Sequence, residues 1–241
     1  MSLVNALDFS GKSVLVCGAS DGIGYGVAKA FLEAGAEVSI TGTRQAGDYD
    51  NDFSGMNFYT LNIQDADSIT ALAKNFEALD VLVNCIGSVL WHKEEFERAG
   101  FEKILTINLT GAMQLCTDFF PLLEANKGCI VNLDSVVSIR PAPANPAYSA
   151  SKAGLVQLTK SLAMKWGRKG VRVNTIAPGM VPTKLTVNQS SPEQEAQFAK
   201  SCPLGRFGSP QDIAGGVLFL SSSLSAYMTG QQIVIDGGMT L

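Results

Sequence analysis

The chain has a single histidine, His92, and its five cysteines (Cys17, Cys85, Cys116, Cys129 and Cys202) include no Cys-x-x-Cys pair. That spacing argues against a metal cluster or a disulfide framework, and neither His92 nor Cys202 has sequence partners that suggest a metal ligand or a nucleophile. An odd number of thiols, three of them in apolar runs, reads as reduced core residues, the state expected of a cytoplasmic protein. Charge is also sparse, 17% of residues with a net of -4, and no dense Lys/Arg cluster occurs beyond Lys165, Arg168 and Lys169. Those three read as a helix end with its solvated face, so no nucleic-acid partner is expected. No apolar run reaches membrane-spanning length and the opening MSLVNALDFSGKS holds no long apolar segment, so no membrane partner is expected either. Linkers rich in Pro, Gly or Ser, charge runs and short repeats are missing as well, which leaves one domain over 1–241 as the economical reading.

What is there is alternation. Short β-rich runs at 13–18, 37–41, 57–63, 80–85, 128–135, 171–178 and 231–237 are separated by helical patterns at 23–34, 66–77, 101–125, 147–168, 192–200 and 210–222. The order predicts βαβ units, hence an α/β, doubly wound fold with a seven-stranded parallel sheet flanked by helices. Runs such as VLVC, VLVN and CIVNL are apolar at every position, as expected of strands covered on both faces. The segment 182–210 is polar and rich in Ser and Gln, the composition of a mobile flap.

The first strand leads into Gly18-Ala19-Ser20-Asp21-Gly22-Ile23-Gly24 and then a helix with Val27, Ala28, Ala30, Phe31 and Leu32 on its apolar face. Gly18 would permit the turn, and Gly22 and Gly24 would let the backbone approach a pyrophosphate at the positive end of the helix. An ordinary tight βα turn uses the same residues, but its position in the first βα unit favours nucleotide binding. Farther on, SVVSIRPAPANPAYSASK places Tyr148 and Lys152 four residues apart, on one helix face. At about 6 Å and an effective dielectric of about 20, the ammonium would favour phenolate by roughly 3 kcal/mol, or about two pKa units. Tyr148 would then exchange protons near neutral pH.

Taken together these motifs resemble the short-chain dehydrogenase/reductase family of single-domain, Rossmann-like enzymes, and the resemblance spans about 9–241. The glycine loop is matched by Gly18, Gly22 and Gly24, the Ser…Tyr-x3-Lys signature by Ser135, Tyr148 and Lys152, and the segment after the fourth strand by Asn84-Cys85-Ile86-Gly87. Asn108 in ILTINLTG, Pro178-Gly179 with Thr183, and Asp236-Gly237-Gly238 complete the series. The resemblance implies interconversion of a carbonyl and a secondary alcohol by hydride transfer with a nicotinamide dinucleotide. It implies Tyr148 as general acid/base, Lys152 lowering its pKa and holding the ribose, Ser135 on the substrate oxygen in preference to Ser138, and Asn108 as a proton relay. It further implies that Thr183 and the backbone near Val181 grip the carboxamide, with Ser20, Asp21, Ile23, Asn62, Ile63, Asn84, Gly87, Pro178 and Gly179 also on the cofactor. Homotetramers or homodimers, formed through the helices at 101–125 and 147–168 and the last strand, are expected by the same resemblance.

The sequence departs from the family at Cys17, at Cys85-Ile86 and at Asp134, where a small residue is usual before the serine. Asp134 reads either as a loop hydrogen-bonder or as added negative charge beside the site. At the end of the second strand Gly42 stands where an acidic residue would select the ribose 2′-hydroxyl, and Thr43 and Arg44 follow. This favours NADP(H), while Asp21, in a position often basic among NADP-using relatives, keeps NAD(H) open. Trp91 and 139–144 are candidate pocket walls, and Lys127 and Lys169 resemble positions where ketoacyl reductases face an acidic carrier protein. A non-catalytic nucleotide sensor on the same fold would not need Tyr148 and Lys152. An enoyl reductase of this family would place six residues, not three, between them.

Overall fold

The computed structural model describes residues 6–183 and 191–241. Strand β1 (Ser13–Cys17) shows how the sequence builds the sheet: Val14 and Val16 enter one apolar layer, Leu15 and Cys17 the other, and all four are fully buried. Successive strand side chains point to opposite faces, so an uninterrupted apolar strand needs helices on both. Helices α1 (Gly22–Glu33) and α7 (Pro210–Ser221) cover the first layer, where Val27, Phe31, Ile213, Val217 and Leu220 meet. On the second layer lie α2 (Ala66–Ala73), α4 (Gly111–Asn126) and α5 (Pro146–Trp166), which contribute Ile69, Leu72, Leu115, Phe119, Leu123 and Trp166. Each large side chain buried this way contributes roughly 1.5–3 kcal/mol.

The remaining strands are β2 (Glu37–Gly42), β3 (Met56–Thr60), β4 (Val81–Asn84), β5 (Cys129–Leu133), β6 (Arg172–Pro178) and β7 (Gln232–Ile235). All seven pair in parallel in the order β3-β2-β1-β4-β5-β6-β7. The order reverses between β1 and β4, so a crevice opens at the C-terminal ends of the strands, where such sheets bind ligands. The predicted fold class, strand number and flanking helices are thus observed.

Two helical expectations change in detail. The helix expected over 101–125 begins at Arg98 as α3 (Arg98–Leu105) and passes through a π-helical turn at Thr106–Thr110 before α4. That wider turn carries Asn108 into the interior, and such turns recur at functional sites. The helix expected over 66–77 ends at Ala73. The expected flap is described from 191 onward as α6 (Pro192–Ser201) and a following loop in which Phe207 stacks on Phe198 at 5.1 Å. Its residues 184–190, with Leu185 and Val187, lie outside the described residues.

Candidate active site

The glycine loop is built for close backbone approach. Gly18 has φ +77°, and a Cβ at Gly24 would lie 2.3 Å from the Gly18 carbonyl oxygen and 2.9 Å from Ala19 Cα. Only hydrogen fits at Gly24, which brings the start of α1 against the turn. Asp21 is the N-cap of α1 and accepts from Gly22 N at 2.7 Å, a cap that supports the helix terminus. The polar support that Cys17 lacks comes from the neighbouring strand: Gly18 N donates to Thr41 Oγ1 and Ala19 N to the Thr41 carbonyl, both at 3.0 Å. Nothing in the sequence around Thr41 marked it for that task.

From this loop a cleft of about 520 Å³ runs along the strand ends to α5, a size suited to a cofactor with its substrate. Gly18, Ser20, Asp21, Gly22, Ile23, Gly24, Thr43, Ile63, Gly87, Ser135, Tyr148, Lys152, Pro178, Gly179, Val181 and Thr183 all line it, as the sequence suggested. A Cβ on Gly22 would meet Thr183 Cγ2 at 3.0 Å, so Thr183 closes over the loop from the opposite wall.

Four expected site residues are placed elsewhere. Asn62 is exposed, starting the turn into α2, where its carboxamide oxygen accepts from Gln64 N at 3.2 Å. Its neighbours Leu61 and Ile63 face the cleft instead. Asn84 is buried and accepts from Ile86 N at 3.2 Å, shaping the turn behind the wall. Arg44 lies outside the cleft lining, over the Tyr49 ring. Asn108, buried in the π-helical turn, holds the Ser88 backbone through both groups (2.8 and 2.9 Å) and donates to Ser151 Oγ at 3.0 Å. Its side chain therefore fixes the loop after β4 against α5 and is not hydrogen-bonded to Lys152.

The serine, tyrosine and lysine converge at the inner end of the cleft. Ser135 follows β5, while Tyr148 and Lys152 sit on the first turns of α5, and all three line the same end of the cleft. Lys152 Nζ lies 5.8 Å from the Tyr148 ring centroid and donates to the Leu133 carbonyl at 2.8 Å. Ser138, the competing hydroxyl, is engaged with the Ser135 carbonyl at 2.8 Å, Asp134 at 3.2 Å and Gln232 at 2.8 Å, and it does not line the cleft.

The lysine distance is as expected; its effect on the tyrosine is not. Burial pushes the Tyr148 hydroxyl up to about 12, opposed by the Ser135 hydrogen bond and reinforced by the charges of Asp134 and Glu95. Desolvation of the phenolate outweighs an ammonium whose own proton is already directed at Leu133. Burial likewise pulls Lys152 down to about 8, against the pull of Asp134 and Cys85. Asp134 carries both roles considered for it. It accepts from Ser135 N, from Ser138 Oγ and from Gln232 Nε2, and burial raises it to about 6 while it puts negative charge beside the site.

Sequence reading missed Glu95. Its carboxylate is buried and accepts from Tyr148 N at 2.9 Å, Leu90 N at 2.9 Å and Asn145 Nδ2 at 3.4 Å. It thus serves as an N-cap for α5 supplied from a distant loop, because Pro146 opens the helix and Asn145 makes no cap of its own. In sequence it is one acid in an acidic stretch, with nothing to mark it as the buried one. Glu95→Ala, which leaves two buried N–H groups unpaired, is expected to cost about 2–4 kcal/mol and to lower the melting temperature by several degrees. Glu95→Gln retains an acceptor and is expected to recover most of that loss in the same melt.

His92 is exposed in a left-handed turn at φ 58°. Among the described residues no cluster of His, Cys, Asp and Glu could hold a metal, and no helix is long and apolar enough to cross a membrane. Lys127 and Lys169 precede β5 and β6, at the sheet edge opposite the cleft, where Lys127 donates to the Lys169 carbonyl at 3.2 Å and Lys169 pairs with Glu124 at 3.2 Å.

A glycine cradle at the topological switch of a parallel sheet, joined to a Ser-Tyr-Lys group whose lysine is buried, defines an oxidoreductase that uses a nicotinamide dinucleotide on a CH–OH/C=O pair. Comparisons agree. A family model described as Enoyl-(Acyl carrier protein) reductase matches residues 18–240. The chain is 36% identical to a 3-oxoacyl-(acyl-carrier-protein) reductase of Chlamydia muridarum, over 95% of this chain and 97% of the relative. Among solved structures, the RhlG/NADP active-site complex of Pseudomonas aeruginosa superposes with a TM-score of 0.89 at 29% identity, covering 98% of this chain and 99% of that one. A short-chain dehydrogenase from Leptospira borgpetersenii with bound NAD+ does so with a TM-score of 0.89 at 30% identity, covering 100% and 97%. The chain belongs to the short-chain dehydrogenase/reductase family.

Proposed function

We propose that the protein is an NADP(H)-preferring reductase of the keto group in a neutral, apolar substrate of the 3-oxoacyl thioester class. The observation that carries this reading is the wall around the Ser135–Tyr148 pair. Val89, Trp91, Val136, Val137, Ala142, Met180 and Met239 line it, and among the described residues Lys152, beside Tyr148, is the one lysine or arginine in the lining. An acyl chain is the chemistry such a wall accepts. Identity to a 3-oxoacyl-(acyl-carrier-protein) reductase along nearly the whole chain supports the same class.

The glycine cradle fits a dinucleotide, since the absence of a Cβ at Gly24 lets the N-terminus of α1 pack directly on the turn at Gly18 and Ala19, where its amides face a pyrophosphate. Gly18, Ser20, Gly22, Ile23 and Gly24 would hold the pyrophosphate, Leu61 and Ile63 the adenine, and Thr43 with the backbone N–H of Arg44 the ribose end. Gly87, Pro178, Gly179, Val181 and Thr183 would hold the nicotinamide half. A bound nicotinamide supplies hydride. The protein's part is the proton: Ser135 Oγ holds the carbonyl oxygen, Tyr148 Oη gives its proton to that oxygen, and the Lys152 ammonium favours the phenolate left behind. A hydroxyl held near 12 keeps its proton at neutral pH, the form from which it donates to a carbonyl oxygen. Asn108 acts as a positioning residue for the loop before Trp91. The single continuous sheet supports one domain over 1–241, with 182–210 covering the substrate. Exposed Met113 on α4, Met164 on α5 and Val234 on β7 support a homo-oligomer through those elements. A cytoplasmic location accords with five free thiols.

The test is oxidation of NADPH and NADH with 3-oxoacyl thioesters, simple ketones and, in reverse, polyols, each from pH 6 to 10. Thioesters with NADPH are expected to give the highest kcat/KM. Because Lys152 is lowered to about 8, its ammonium is present below that pH and lost above it, so reductive kcat/KM should fall as pH rises through about 8. Faster turnover of polyols than of every thioester would sink the substrate reading.

A further inference from the structure

At the end of β2 the backbone turns two amide hydrogens onto one oxygen. The Tyr49 hydroxyl accepts from Thr43 N at 3.0 Å and from Arg44 N at 3.1 Å. Thr43 Oγ1 lies 3.4 Å from the same oxygen. Over the ring sits the Arg44 guanidinium, 4.4 Å from the centroid. Burial pushes the phenol's pKa up, but the hydrogen bonds from Thr43, Ser20 and Arg44 outweigh it and bring it down to about 8. Two amides and a hydroxyl at one oxygen, with a guanidinium over the ring that carries it, are an arrangement made for negative charge.

Gly42 supplies a second, independent observation. A Cβ there would lie 2.7 Å from Phe58 Cζ, 2.8 Å from the Tyr49 oxygen and 3.1 Å from Ser20 Cβ. The phenolic oxygen, with the edge of the Phe58 ring, therefore fills the space where an acidic side chain at this position would stand. In dinucleotide folds such an acid accepts from the ribose 2′-hydroxyl, whereas a nearby arginine accommodates a 2′-phosphate. Tyr49 is delivered by the helical turn at Ala46–Asp48, and its ring packs on Phe53 and Phe58 with centroids 6.0 and 5.9 Å away. Asn51 Nδ2 donates to the Ser20 carbonyl at 2.9 Å, clasping this segment to the glycine loop.

Resting on the nucleotide-dependent reading above, we infer that Tyr49 is a cofactor-specificity residue, its hydroxyl standing in for the missing carboxylate and competing with a 2′-phosphate for the amides of Thr43 and Arg44. A 2′-phosphate needs those donors and must move the phenol off them. A 2′-hydroxyl needs one partner, and the phenolic oxygen is itself that partner. Tyr49 therefore restrains the NADP(H) preference that Arg44 creates, and the chain retains use of NAD(H).

Tyr49→Phe deletes the oxygen and keeps the ring between Phe53, Phe58 and Arg44. Dissociation constants of NADP+ and NAD+ are measured by titration calorimetry on both proteins, without substrate. The ratio of NADP+ to NAD+ affinity is expected to rise about tenfold in the variant, the worth of one freed donor pair. An unchanged ratio, or weaker NADP+ binding, overturns the role of Tyr49 while leaving the reductase reading intact. Failure of the unmodified protein to bind either nucleotide overturns both.

Discussion

Tyr148→Phe is expected to lower the reductive kcat by about 10³–10⁴-fold while leaving nucleotide affinity nearly unchanged, which is the range a positioned general acid supplies. The substitution removes one oxygen from the inner end of the cleft, which Ser135 also lines. It leaves the backbone N–H of residue 148 on Glu95 and the ammonium of Lys152 on the Leu133 carbonyl. Helix α5 and the cleft therefore persist, and stopped-flow hydride transfer alongside a binding titration separates lost chemistry from lost structure. Turnover within tenfold of the unmodified protein would show that another group donates the proton. Because Tyr148 retains its proton at neutral pH, the loss should be uniform from pH 6 to 8.

Gly24→Ala is expected to weaken nucleotide binding by at least about 100-fold and to lower the melting temperature by several degrees, through forced movement of a packed backbone. The new methyl would meet the Gly18 carbonyl oxygen at 2.3 Å and Ala19 Cα at 2.9 Å. Both obstacles are backbone, so no side-chain rotation relieves them. The loop must open, and with it goes the alignment of the α1 terminus on the pyrophosphate. Gly47→Ala is the matched control, since a Cβ there meets nothing within 4 Å. Its effect should stay within about 0.5 kcal/mol. Equal binding by the Gly24 and Gly47 variants would show that the loop does not hold the nucleotide.

Much of the site was readable in one dimension because its parts are local. The glycine loop is one turn, and Tyr148 and Lys152 are one helical turn apart, so residue spacing alone places them together. The misreadings involve groups whose behaviour depends on what lies across the cleft. Asn62 and Ile63 are adjacent, yet only Ile63 faces inward, and it does so with Leu61 on the other side of an outward-facing residue. The lowered Tyr148 pKa expected from Lys152 fails because desolvation, reinforced by two carboxylates from separate loops, Asp134 and Glu95, acts in the other direction. Neither carboxylate is nearer than thirteen residues to Tyr148 in the chain.

By itself the sequence determined the α/β class, the strand count, the identity of the cradle and the residue types available for proton transfer. These follow from periodicity and short spacing, which covalent geometry converts directly into relative position. Only the tertiary structure decided which acid caps α5, how strongly burial holds the Tyr148 proton, and what fills the space beside Gly42. Those depend on desolvation and on contacts between segments far apart in the chain, and both exist only after the sheet has brought β2, β5 and the loop following β4 to a common edge.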